Sequence, residues 1–333
     1  MLHTVKWKII GLVLAIILVF LLFGASVLFG YTNTTWQMVI QAYTAFDGSN
    51  EHIIIREARV PRAVAALLVG AALAGAGIIM QALTRNPMAS PGILGVNAGG
   101  GFFIVAGVSF FSISSEKSYM WLAFAGAIIA SIFVYVISSI GREGMTPLKL
   151  TLAGATTAAL FSSFTSALLV IDERTLSDVL YWLAGSVEGK SLNLITSVLP
   201  FLITGFIVIL FLGRALNVFA IGEDAAVGLG QNTVALKLLS LLVVVVLAGG
   251  AVAIAGPVGF VGLVIPHIAR GLIGRDHRWI IPYCLVLGAI LLLSADLGAR
   301  FIAFPREVPV GVMTAIVGAP FFIYLARREL FLK

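Results

Sequence analysis

Gly70-Ala71-Ala72-Leu73-Ala74-Gly75-Ala76-Gly77 stands in the middle of an uncharged run from Ala63 to Leu83. About 20 apolar residues carry a helix across a bilayer, and small residues let two helix backbones meet closely in lipid. The run therefore reads as a packed membrane span. Directly after it, Thr84-Arg85-Asn86-Pro87-Met88-Ala89-Ser90-Pro91-Gly92 holds two prolines and a glycine, which forbid a continuous helix. A second small-residue stretch, Ala248 to Ala253, is likewise followed by a break, at Gly256-Pro257.

Working outward, comparable apolar runs predict ten spans, near 9–29, 63–83, 93–111, 119–140, 149–170, 194–213, 234–255, 258–273, 279–300 and 309–326. Composition agrees. The chain of 333 residues is 60% apolar and 11% charged, whereas a soluble domain carries about 25% charged residues. No stretch is polar enough for a separate globular domain, so residues 1–333 read as one polytopic, all-α membrane domain. Lys6 and Lys8 precede an apolar run longer than a signal peptide needs, and more spans follow; an uncleaved first helix is expected.

A net charge of +6 would point to nucleic acid in a soluble chain. In a membrane chain it reports orientation, since Lys and Arg stay on the cytoplasmic side. With both termini inside, thirteen of the 21 Lys and Arg fall on the inner face and eight on the outer. This places the chain in a cell membrane with cytoplasmic ends. The lone Cys284 lies in an apolar run and reads as packing; no metal or cofactor is expected.

Several segments carry candidate chemistry. Ala184 to Ser191 nearly matches a phosphate-binding loop, but that loop works between a strand and a helix. Here it falls between spans on the assigned outer face, so no catalytic or nucleotide site is expected. The turn holding Asn86, Pro87 and Met88 reads either as a simple turn or as a constriction at the inner mouth of a pathway. The longest polar inner loop, about 214–232, centres on Glu223, Asp224, Ala225, Ala226, Gly228, Leu229 and Gly230. The acids suit the first turn of a short helix and the glycines its end. Asp296 and Arg300, four apart, suit a helical ion pair near the outer end. Pro61 suits the first turn of the second span, which puts Arg59 and Arg62 at its outer mouth. Arg59, Arg62 and Arg300 then read either as anchors at the headgroups or as a basic rim that grips carboxylates of a docking protein.

Taken together, these motifs resemble the permease subunits of ATP-driven iron-siderophore, haem and cobalamin importers, the type II importer permease fold. The carriers include Arg59-Val60-Pro61-Arg62, Asn86-Pro87-Met88-Ala89, Pro91 to Gly95, Trp182 to Ser186, Gly222 to Gly230, Gly259 to His267, Asp276-His277-Arg278 and Glu307 to Gly311. Met88 stands where leucine is more usual. The resemblance implies ten helices per subunit and two subunits, identical or related, around one pathway. It implies cytoplasmic ATPase subunits bound at Glu223 to Gly230, and an external substrate-binding protein docked on the outer face. Ferric siderophore is the expected cargo, ahead of haem or cobalamin. The main rival, an ion- or proton-coupled secondary transporter, needs buried ionisable residues along a path, and only Asp296 and His267 qualify.

Overall fold

The computed structural model describes residues 4–32, 34–141, 145–171, 179–180, 182–303 and 307–331. Its helices are α1 (Val5–Leu28), α2 (Trp36–Thr44), α3 (Asn50–Thr84), α4 (Val96–Phe111), α5 (Glu116–Ser139), α6 (Pro147–Ile171), α7 (Leu192–Ile221), α8 (Glu223–Gly228), α9 (Thr233–Ala255), α10 (Val261–Ile273), α11 (His277–Ile302) and α12 (Val310–Phe331). Among the described residues, seven helices are long and apolar enough to span a membrane, and α4, α10 and α12 are shorter apolar helices. Each of the ten expected spans falls on one of these.

The small-residue helix α3 is the hub, packed against α7, α9, α10 and α11. Glycine makes that possible by direct backbone contact. A Cβ on Gly70 would lie 2.2 Å from the Gly288 carbonyl oxygen on α11. One on Gly77 would lie 2.0 Å from the Gly262 oxygen on α10. Without an apolar driving force between helices in lipid, such close approach supplies the packing attraction that holds the bundle.

Two local readings need correction. The second span's helix does not begin near Ala63, although Pro61 does stand in the first turn of its α-helical part, Val60–Thr84. The helix already runs from Asn50, and residues Ile54–Arg59 form a π-helical stretch just before the proline. The Val60 N–H bonds back to the Ile55 oxygen, and the wider turn leaves room for a proline that has no N–H to donate. Second, α2 lies outside the predicted spans. Thr35 caps it, with the side chain accepting from the Met38 N–H, and Trp36, Ile40 and Tyr43 are exposed along it. The Trp36 ring rests over Gly24 of α1.

Candidate functional site

Functional candidates fall in three places: a charge cluster at one end of the bundle, and a sharp turn and a short helix at the other. The charge cluster begins with the end of α1. The last carbonyls of any helix lack intrahelical donors, and in lipid they need partners. Arg59 supplies them, donating to the Val27 oxygen at 2.9 Å and the Leu28 oxygen at 2.6 Å, and to Thr32 and Thr34 of the following loop. Arg300 does the same from α11, donating to the Ser26 oxygen at 2.6 Å and the Phe29 oxygen at 2.9 Å. Asp296 is 1% exposed and accepts from Arg300 at 2.6 Å and from Arg62 Nε at 2.8 Å. Arg62 is also paired with Glu307, just before α12.

The fold thus brings Arg59, Arg62 and Arg300 together, but not as a rim of free charges. All three are buried, and each guanidinium is already held by acceptors of this chain. The Asp296–Arg300 pair expected from their spacing is present, extended by Arg62 from a helix 234 residues away. Asp296 is therefore a fully paired carboxylate, and His267 lies edge-on to Phe321, 5.8 Å between ring centres.

The stretch from Ala184 to Ser191 lies at this same end. It packs by backbone against the end of α9 and the start of α12: the Ser186 N–H donates to the Ala255 oxygen at 2.8 Å, and the Gly311 N–H to the Gly185 oxygen at 3.0 Å. Burial pushes the Lys190 ammonium below its ordinary pKa and the Glu188 carboxyl above its own.

At the opposite end, α3 stops at Arg85, whose φ of 49° turns the chain into the left-handed region. The Asn86 Oδ1 then accepts from the Met88 N–H at 2.9 Å, closing a tight side-chain turn. Asn86 is exposed, Pro87 and Met88 are half-buried, and Ala89 is buried. A short 3-10 helix, Pro91–Leu94, leads into α4. Gly154 of α6 presses on it, since a Cβ there would lie 1.7 Å from the Ile93 oxygen.

Beside this turn stands α8. Gly222, at φ 152°, breaks the chain after α7, and Glu223 and Asp224 fill the first turn of the new helix. Glu223 pairs with Lys237 of α9 at 2.5 Å, Ala226 is buried, and Gln231 donates to the Ala215 oxygen at 2.9 Å. These contacts seat α8 on the bundle. Its other face is open: Ala225, Val227, Gly228, Leu229 and Gly230 are exposed, and a Cβ on Gly228 would meet nothing within 4 Å.

One feature escaped the sequence reading. The spanning helix α6 is little buried, and its exposed positions include Thr156, Ser162, Ser163 and Ser166. Polar groups in a span normally turn from lipid toward a protein interior or a water-filled space. The run of hydroxyls in residues 149–170 was the available signal.

Ten apolar helices among the described residues, packed through glycine and interrupted by a broken-helix turn, make a multi-pass membrane protein. The FecCD transport family model matches residues 15–328, and the chain belongs to that family. It is 54% identical to the Bacillus subtilis (strain 168) protein named "Probable siderophore transport system permease protein YfiZ", over 97% of this chain and 96% of the relative. Identity to the Fe(3+)-citrate import system permease protein YfmD of the same organism is 46%, over 86% and 85% of the two chains. Among solved structures, it is similar to one titled "An inward-facing conformation of a putative metal-chelate type ABC transporter", with a TM-score of 0.82 and 28% identity over 95% of this chain and 98% of the other.

Proposed function

We propose that this chain is the permease subunit of an ATP-driven importer for a ferric chelate, with ferric siderophore as the cargo. The single observation that carries the pathway is that the little-buried α6 exposes Thr156, Ser162, Ser163 and Ser166 among its apolar side chains. Paired with the same face of a second permease subunit, identical or related, it lines an aqueous route through one polytopic domain. Relatives named for siderophore and Fe(3+)-citrate transport support the cargo. The chain itself does no chemistry; separate ATPase subunits drive it.

The inner face is the one carrying α8, which agrees with the Lys and Arg bias and places both termini in the cytoplasm. Ala225, Gly228, Leu229 and Gly230 offer the small, open surface on which an ATPase subunit seats, with Glu223, Asp224 and Ala226 holding the helix in place. The binding protein docks at the opposite face, around Arg59, Arg62 and Arg300. Since these are internally paired, a partner carboxylate reaches Arg62 by displacing Glu307, the more accessible of its two acids.

Gly228→Trp tests the drive. The side chain has free space on this chain, so insertion and folding are expected to be unchanged, while copurification of the ATPase subunits and chelate uptake in reconstituted vesicles fall to background. Normal uptake by this variant removes α8 as the coupling element. A second test addresses Asn86, Pro87 and Met88 as the inner constriction. Asn86→Cys, in a Cys284→Ser background, is expected to cross-link two permease subunits, with a yield that changes when ATP is bound. Cross-linking that never forms, or never responds to nucleotide, reduces this segment to an ordinary turn.

A further inference from the structure

At the α8 end of the bundle, the tips of α3, α7, α10 and α11 surround a cavity of about 440 Å³. Gln81, Arg85, Arg270, Arg275 and His277 supply its polar rim, and Ala82, Pro87, Ala220 and Ile280 its apolar wall. No acidic side chain is among the described residues that line it. The carboxylate nearest in sequence, Asp276, is engaged elsewhere. Arg278 and Asn217 bond to it and hold its carboxyl well below the usual range. Two of the three guanidiniums are held in position. Arg270 donates to the Gln81 Oε1, while the Gln81 Nε2 donates to the Gly262 and Leu263 oxygens at 3.4 and 3.3 Å. Arg85 lies over the Phe219 ring, 5.0 Å from its centre, and donates to the Phe219 oxygen at 3.4 Å. Among the described residues, both are bonded to neutral acceptors there, and Arg275 completes the group from an exposed position.

Three like charges gathered without a counter-charge repel one another, and an anion that binds among them relieves that repulsion. We propose that this cavity is a binding site for the phosphoryl headgroup of an anionic phospholipid. Arginine forks match pairs of phosphate oxygens. The place fits, because three spanning helices, α3, α7 and α11, and the shorter α10 all have an end there, where a span meets the headgroups. The leaflet is the cytoplasmic one, which carries the anionic lipid; that assignment alone rests on the orientation proposed above. The apolar wall of Ala82, Ala220 and Ile280 suits the glycerol and upper acyl region, which free phosphate lacks. Through Gln81 and Pro87 the bound headgroup abuts both the α3–α10 contact and the Asn86 turn.

The test uses the purified full chain in detergent, incubated with phosphatidylglycerol or with phosphatidylcholine of the same acyl chains, and read by native mass spectrometry. Phosphatidylglycerol is expected to be retained in preference to phosphatidylcholine. The preference is expected to fall about fivefold for each arginine removed in Arg275→Gln and in Arg85→Gln/Arg275→Gln. Arg214→Gln, an exposed guanidinium that does not line the cavity, is expected to keep it. Equal retention of the two lipids, or an unchanged preference in the double variant, overturns the site. If inorganic phosphate at millimolar concentration displaces phosphatidylglycerol completely, the ligand is a soluble phosphate and the lipid assignment is wrong. If the double variant keeps its lipid but loses ATPase subunits, the cavity belongs to an acidic partner residue and the proposal fails. None of these readings depends on chelate transport, so the failure of the transport reading is scored separately.

Discussion

Asp296→Ala is expected to destabilise the folded protein by about 3–5 kcal/mol, the range for removing one partner of a buried ion pair. Asp296 is 1% exposed and is shared by Arg62 and Arg300. Its loss leaves both guanidiniums buried, with Arg62 dependent on Glu307 and Arg300 on the neutral acceptors Ser26 and Phe29. Those acceptors lie at the end of α1, which is little buried and keeps only Arg59 as a second charged anchor there, so this end of the first span should loosen before the rest. The measurement is the apparent melting temperature in detergent, together with the protease sensitivity of the α1–α2 link. Glu307→Gln is the comparison. Glu307 is the more accessible acid, and Arg62 keeps Asp296 when it is changed, so a clearly smaller drop is expected. Adding Arg62→Met to Asp296→Ala removes one of the stranded charges and should recover part of the loss. An Asp296→Ala protein that melts with the wild type would mean that the cluster holds nothing together.

The spans were legible because twenty apolar residues leave a signal that survives without tertiary information. So was α8, whose glycines and paired acids are local features. Pro61 misled for a physical reason: a proline marks a helix start only if the preceding turn is an ordinary α-turn, and here a π-helical turn absorbs it. The fate of the arginines was legible only in the pairing of Arg300 with Asp296. The pairing of Asp296 with Arg300 is a spacing rule along one helix. The bond from Arg62 to Asp296, and the capping of α1 carbonyls by Arg59 and Arg300, join segments far apart in the chain. Charge counting alone placed these side chains at a surface. The hydroxyls of α6 were visible as residues, but only the packing shows that Thr156, Ser162, Ser163 and Ser166 share the unburied side.

Gly77→Ala is expected to destabilise the bundle by about 1–3 kcal/mol, as overpacking of a tight contact does, despite alanine's better helix propensity. The reason is the atom it meets. The new Cβ would lie 2.0 Å from the Gly262 oxygen and 2.5 Å from the Gly262 Cα, so a backbone has to move. No side chain can rotate away to relieve it. The reverse contact is equally closed, because a Cβ on Gly262 would lie 2.7 Å from the Leu73 oxygen. Pushing α10 from α3 also strains the link one turn further on, where Gln81 reaches the Gly262 and Leu263 oxygens and holds Arg270. The loss should therefore appear twice: in a lower melting temperature, and in weaker retention of anionic lipid even though no cavity arginine has been touched. Gly271→Ala, on the same helix α10, is the matched control. A Cβ there meets nothing within 4 Å, so alanine gains helix propensity at no steric cost. Its melting temperature should equal or exceed that of the wild type. If Gly77→Ala and Gly271→Ala behave alike, backbone contact between α3 and α10 is not what holds this part of the bundle.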